Sequence, residues 1–274
     1  MASSLYVQHS PRRSLAGVLV CEWERPECSG RELLVAPDGC ADLIWRSDGQ
    51  LFVAGPDRSA ATHQQAPGIA FVGLRLRPGT AGALLRHEVN ELCDQLVPLS
   101  SLWGRGVEAI AEQLAAASTP AEQRSILARM LRQRTESTAV DRQVVAAAST
   151  LTVSVVPVHA LPERVALGDR QLRRRFARQV GYGPKTFQRI MRFRRAVALY
   201  GHDGRDGAAR ACLAQVAVAA GYADQAHLTR ECRRLTGMTP VQFLGGDGTA
   251  DDAMVDDVVH GIGCLPDRLH HRTA

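Results

Sequence analysis

Two short stretches of this 274-residue chain carry side chains whose types and spacing suit contact with nucleic acid. In the first, Arg170, Arg173 and Arg174 fall on the helical face opposite Leu172 and Phe176. Guanidinium groups so placed can grip phosphate, or the O6 and N7 edge of guanine, with paired hydrogen bonds. In the second, Gln225, His227 and Arg230 occupy the corresponding places, a set able to read adenine, backbone and guanine respectively. A basic helix face can also be a merely solvated one. Against that stands position, because both sets begin at the N-terminal end of their helices, where a reading helix in a major groove must carry them.

The elements that would hold these residues are written twice. Over Val158 to Gly181, Leu161 and Val165 fit one helix, Ala166-Leu167-Gly168 make a turn, and Leu172, Phe176 and Val180 give a second helix its buried stripe. Asp169 opens that helix, at the positive end of its dipole. Over Cys212 to Gly237, Leu213, Val216 and Ala217 face inward, Gly221 turns, Asp224 sits at an N-cap, and Leu228 and Cys232 continue the buried face. Gly181 and Gly237 supply left-handed helix ends, with Pro184 and Pro240 preventing continuation. From Lys185 to Tyr200, Phe187, Ile190, Phe193 and Val197 at helical spacing predict a rigid helix joining the two helix-turn-helix units.

Charge points to the same region. Residues 138–245 carry 17 Lys+Arg against 7 Asp+Glu, residues 1–137 carry 14 against 15, and residues 246–274 carry 2 against 6, so the overall +5 hides an asymmetry. The basic residues are arginines except Lys185. An arginine-rich genome could produce that ratio without functional cause; the clustering is harder to dismiss.

Leu-Gly-Asp-Arg-Gln-Leu-Arg-Arg-Arg-Phe (167–176) and Val-Gly-Tyr-Gly-Pro-Lys (180–185), then Ala-Gly-Tyr-Ala-Asp-Gln-Ala-His-Leu-Thr-Arg-Glu (220–231) and Leu-Thr-Gly-Met-Thr-Pro-Val-Gln-Phe (235–243), resemble the DNA-binding domain of AraC/XylS-type regulators over about 138–245. The resemblance implies a seven-helix domain that sets two recognition helices in successive major grooves, ~34 Å apart. Carried onto this sequence, the family's base-contacting positions are Arg170, Arg173 and Arg174, then Gln225, Ala226, His227 and Arg230. Cys232 stands where the family usually has a core phenylalanine, and Gly168 where a serine or threonine usually caps. The weaker cap costs a few tenths of a kcal/mol.

From Leu15 to Arg77 the chain changes character, with short apolar runs broken by Gly, Pro and Asp. Val72, Leu74 and Leu76 alternate with Gly73, Arg75 and Arg77, the signature of a half-buried strand. About five such strands predict a small β-rich domain over 1–79. Its Pro37–Ile44 turn and strand, Val72–Gly79, and Leu99–Gly104 resemble a little-characterised N-terminal domain on one branch of these regulators, which implies a sensor or oligomerisation role. Residues 80–137 read as helices packing on it: Thr80 to Arg86, Val107 to Ala117, and one launched by the Thr119-Pro120-Ala121-Glu122 capping box and running to about Arg134. The stripe Ile126, Leu127, Met130 and Leu131 suits either its own domain or a homodimer interface. Thr135 to Thr138 would then link to the DNA-binding domain at 138–245, with an acidic, flexible tail at 246–274. The fold class expected is α+β.

No apolar run approaches the ~20 residues of a membrane helix. Arg12-Arg13 before Leu15–Val20 and Cys21 imitates an export signal, but the apolar run is too short, so a cytoplasmic protein with no membrane partner is expected. Seven cysteines without CxxC spacing argue against disulfides and zinc fingers, and no cofactor or metal is expected. Cys21, Cys28 and Cys40 fall in one small domain and leave open a thiol or metal sensor, although buried free cysteine usually serves as a small hydrophobe. Met254, His260, Cys264, His270 and His271 in the tail leave a metal-binding or charge-screening role open.

The leading reading is a regulator of transcription that binds double-stranded DNA and is not an enzyme. Its N-terminal domain would sense a small-molecule effector or dimerise, and an activator would also touch RNA polymerase. Two alternatives remain. A DNA-repair-type enzyme would need an activated cysteine, for which Cys40 is the candidate although no cysteine adjoins a histidine. An architectural binder would show weak sequence preference and salt-dominated affinity.

Overall fold

The computed structural model describes residues 6–205 and 212–244 of the chain. Eight strands come first, interleaved late with helices: β1 (Val7–His9), β2 (Leu19–Arg25), β3 (Arg31–Val35), β4 (Asp42–Arg46), β5 (Gln50–Ala54), β6 (Ala61–Gln65), β7 (Phe71–Leu76) and β8 (Leu96–Pro98). Six form an antiparallel sheet in the order β1-β2-β7-β4-β5-β8, while β3 and β6 pair as a separate antiparallel ribbon. The class is α+β.

Strand alternation sends Leu43, Trp45, Leu51, Val53, Val72, Leu74 and Leu76 to one face of the large sheet. There they meet α1 (Ala81–Leu85), α2 (Leu99–Trp103), α3 (Gly106–Ala116) and α4 (Pro120–Glu136) in a single core. The capping box of α4 forms in both directions, with Glu122 N donating to Thr119 Oγ1 at 3.2 Å and Thr119 N donating to Glu122 Oε2 at 3.2 Å. Leu127, Met130 and Leu131 are buried against the sheet, and Ile126 is partly buried there. Burying each side chain contributes ~1.5–3 kcal/mol. The stripe on α4 therefore packs on its own domain. The helix runs past Arg134 to Glu136, which shortens the expected linker.

Several expectations are corrected on this half. Leu15 closes a 3-10 turn, Arg13–Leu15, so β2 starts only at Leu19. β7 is buried on both faces: Arg75 is 8% exposed, because the β3–β6 ribbon lies over the side expected to meet solvent. β1, β6 and β8 have no counterpart in the sequence reading.

The remaining helices are α5 (Arg142–Val153), α6 (Leu161–Arg164), α7 (Asp169–Val180), α8 (Pro184–Arg205), α9 (Leu213–Ala220), α10 (Gln225–Thr236) and α11 (Pro240–Leu244). α6 is a single turn preceded by the 3-10 turn Val158–Ala160, shorter than a Leu161–Val165 spacing suggests. Pro184 and Pro240 begin the next helices rather than only ending the previous ones, since proline fits a first helical position. Phe187, Ile190, Phe193 and Val197 lock α8 into the core shared by α5, α6, α7, α10 and α11. α9 packs on α8 through Val216, Ala217 and Ala220 against Ala196 and Tyr200. Residues 246–274, and with them the expected acidic tail and its Met254, His260, Cys264, His270 and His271, lie outside the described residues.

Candidate nucleic-acid interface and an interior cavity

α7 is amphipathic by construction. Leu172, Phe176 and Val180 are buried, and Arg170, Arg173 and Arg174 are exposed on the opposite side. Arg173 Nη2 lies 3.9 Å from Asp169 Oδ2, a solvent-exposed pair of little energetic weight. Among the described residues Arg170 and Arg174 have no ion-pair partner, so their guanidinium groups are available to a ligand. The third arginine of the run differs: Arg175 donates from Nε and Nη2 to the two oxygens of Asp141, each at 2.7 Å, and ties α7 to the start of α5. Gly168 is the N-cap of α7 and makes no side-chain hydrogen bond.

α10 presents Gln225, Ala226 and Arg230 exposed and His227 half-buried. Asp224 caps it, accepting from His227 N at 2.6 Å. The His227 ring stands edge-on to Tyr222, with centroids 5.2 Å apart, and its Nδ1 accepts from Ala223 N at 3.5 Å. That arrangement leaves Nε2 without a hydrogen-bond partner among the described residues. Cys232 is buried, as its place in the stripe requires, with Sγ 3.7 Å from Thr236 Oγ1. All seven sequence-derived DNA positions thus lie in the N-terminal halves of α7 and α10.

The N-terminal unit grips this domain mainly at the first helix-turn-helix. Arg178 Nε lies 2.9 Å from Glu88 Oε1, and Cys93 Sγ donates to Gly181 O at 3.1 Å. At the second unit Ala60 N donates to Leu235 O at 2.6 Å. The β3–β4 turn reaches α8: Arg194 Nη1 donates to Asp38 O at 3.2 Å, and Gly39 lies so near Phe187 that a Cβ would stand 2.7 Å from its ring.

Between the outer face of the large sheet and the β3–β6 ribbon lies a cavity of about 220 Å³. It was not foreseen from sequence. Trp23, Ile44, Phe52 and Leu33 supply apolar wall. At one end Arg75, Asp38 and Asp42 are packed together: Arg75 Nη1 is 3.1 Å from Asp38 Oδ2, and Arg75 Nε is 3.2 Å from Asp42 Oδ1, which also accepts from Trp23 Nε1 at 2.8 Å. Asp57 lines the same cavity, and burial together with Asp38, Asp94 and Asp42 pushes its carboxyl up to about 7. Among the described residues it has no hydrogen-bond or ion-pair partner.

The cysteines give no support to thiol chemistry. Cys21 is buried beside Tyr6 and Trp23, Cys28 lies in the β2–β3 loop, and Cys40 is buried in the β3–β4 turn. Burial and the neighbouring Asp38 push the Cys40 thiol well up, away from the thiolate that a nucleophile or sensor needs. Among the described residues no three His, Cys, Asp or Glu side chains form a metal-binding group. No described helix is long and apolar enough to cross a membrane.

Residues 161–245 match the family described as a helix-turn-helix domain, and residues 7–98 match a domain of unknown function, DUF6597. No curated protein matches. Among solved structures the chain is similar to apo ToxT from Vibrio cholerae, at 9% identity and a TM-score of 0.44, covering 82% of this chain and 96% of that one. A ToxT structure with bound unsaturated fatty acid has 9% identity and a TM-score of 0.41, covering 89% and 97%. With α7 and α10, the α8 helix they share and the two matched stretches in view, the chain carries an AraC-type helix-turn-helix domain and a DUF6597-type N-terminal domain.

Proposed function

We propose that the protein binds specific double-stranded DNA by placing α7 and α10 in successive major grooves. The observation that carries this reading is the pair of exposed, unpaired N-terminal helix faces, Arg170/Arg174 and Gln225/Arg230, on two helices that both pack against α8. Arg170, Arg173 and Arg174 read guanine edges or grip phosphate; Gln225 reads adenine, His227 Nε2 contacts backbone, Ala226 allows close approach, and Arg230 reads guanine. The cavity of the DUF6597 domain receives a small-molecule effector. Its floor residue Asp38 also holds Arg194 of α8, so occupancy bears directly on the spine that spaces the two reading helices.

Selection of bound DNA from a random pool by the full-length protein tests the reading. Two short conserved elements about one helical turn (~34 Å) apart are expected. Enrichment of one element only would remove a reading helix from the proposal, and salt-limited binding without enrichment would favour the architectural alternative.

A further inference from the structure

The cavity has a polarity that its apolar walls do not announce. β4 runs along it from Asp42 to Arg46, about 13 Å of extended chain. At the Asp42 end stand three carboxylates, Asp38, Asp42 and Asp57, with Arg75 as the cavity-lining cation. Arg75 is already engaged by Asp38 and Asp42, which leaves Asp57 without a counterion. At the Arg46 end the cations are occupied: Arg46 donates to both oxygens of Asp48, at 2.8 and 2.5 Å, and Arg25 stands 5.5 Å above the Tyr6 ring. Gln65, only 2% exposed, is the open group there. Its Nε2 donates to Pro26 O at 3.1 Å and Ile69 O at 2.7 Å, which fixes the amide's orientation, and its Oε1 is left without a hydrogen-bond partner.

Both open positions are therefore acceptors, one charged and one neutral, separated by aromatic wall. Gln65 Oε1 is a buried acceptor without a donor, which costs ~1–3 kcal/mol, and Asp57 is a half-buried carboxylate without a counterion, so the site is built for something that donates at both ends. A volume of about 220 Å³ lies between that of a benzene-holding cavity and a drug-sized pocket, which limits the occupant to roughly ten heavy atoms.

We infer that the cavity's ligand is a small arylalkyl amine. Its ammonium group sits against Asp57, its ring lies between Trp23 and Phe52, and a hydroxyl or N–H at its far end donates to Gln65 Oε1. Aromatic faces favour a neighbouring cation as well as a ring. This inference rests on the reading of the cavity as the effector site.

Titration calorimetry on the full-length protein at pH 8 tests it with three probes of nearly equal size: tyramine, 2-(4-hydroxyphenyl)ethanol and (4-hydroxyphenyl)acetate. Tyramine is expected to bind at least tenfold more tightly than either of the others. Phenethylamine, which lacks the phenolic donor, should lose several-fold. Asp57→Asn, which breaks no native pair and whose folding is checked by its melting curve, should weaken tyramine at least tenfold. If the alcohol or the acid binds as well as tyramine, or Asp57→Asn binds it unchanged, the amine class is wrong while the effector site stands. If none of the probes binds, the amine proposal is overturned, while the effector reading, which commits to no ligand class, is not.

Discussion

The two helix-turn-helix units share a plan and are held in place by different means. The first has a glycine N-cap with no side-chain hydrogen bond, and its recognition helix is braced from outside by Glu88, Cys93 and Asp141. The second adds a restraint of its own, the Asp224 cap and the His227 ring set on Tyr222, to an outside hold from α8, where Arg189 Nε donates to Glu231 Oε2 at 2.8 Å, and takes a backbone hydrogen bond from Ala60 of the N-terminal domain. The N-terminal domain therefore holds the first unit through the side chains of Glu88 and Cys93 and reaches the second through the backbone of Ala60. A signal arising in the N-terminal domain consequently has its firmest hold on α7.

The two helix-ending glycines offer the largest test of that contrast. Gly181 has φ +104°, and a Cβ there would lie 2.6 Å from both Cys93 Sγ and Pro56 Cγ; Gly237 has φ +76° with nothing within 4 Å. Gly237→Ala should cost only the left-handed strain, ~1–2 kcal/mol. Gly181→Ala should add overpacking and reach about 3–5 kcal/mol in chemical denaturation. Equal costs would mean the first unit is not braced.

At the DNA, Arg174→Ala and Arg230→Ala should each cost about 1–3 kcal/mol and relax preference at one base position, measured by competition against single-base operator variants. A uniform loss across all variants would reassign that arginine to phosphate.

A third test concerns the bracing side. The Asp57 carboxyl, pushed up to about 7 by burial and by Asp38, Asp94 and Asp42, follows Pro56, which packs at Gly181. Its folded value lies above the unfolded one, so the native state holds the extra proton between about pH 4 and 7. Stability from this group is then complete below pH 4 and falls as pH rises to 7. Asp57→Asn should remove the decline, a gain of about 1–2 kcal/mol at pH 8 by thermal melting; an unchanged pH profile would discard Asp57 as its source.

The smallest effects lie in the caps. Asp224→Ala should cost ~1 kcal/mol, whereas Gly168→Ser should gain a few tenths. Hydrogen exchange at the first turns of α10 and α7 would resolve both.

Much of the DNA-binding half was legible because its signals are local. Stripe, cap, turn glycine and proline all lie within a few residues, as in Asp224-Gln-Ala-His-Leu, and the exposed arginines follow from the same period. In the N-terminal half β2, β3, β4, β5 and β7 showed through their apolar runs, and α4 through Thr119 and Glu122. β6 did not, since Thr62-His63-Gln64-Gln65 offers no apolar alternation when its inner side supplies polar groups to the cavity lining. Arg75 misled for a related reason. An alternating arginine looks like a wet face, and only the distant pairing of β3 with β6 covers it. Such non-local closure leaves no mark in a window of ten residues.

The seating of Gly39 against Phe187 bears on how this protein can be taken apart. Leu34 and Cys93 belong to the same apolar core as Phe187, Met191 and Tyr182. The DNA-binding unit is thus not a portable cassette: severed near residue 138 it would present a raw apolar scar, and joined to a foreign sensor it would need that partner to bring its own glycine turn and small side chains to the same spot. Chimeras that carry residues 34–40 and 88–93 across with the DNA-binding unit should stay soluble where those cut at the linker do not.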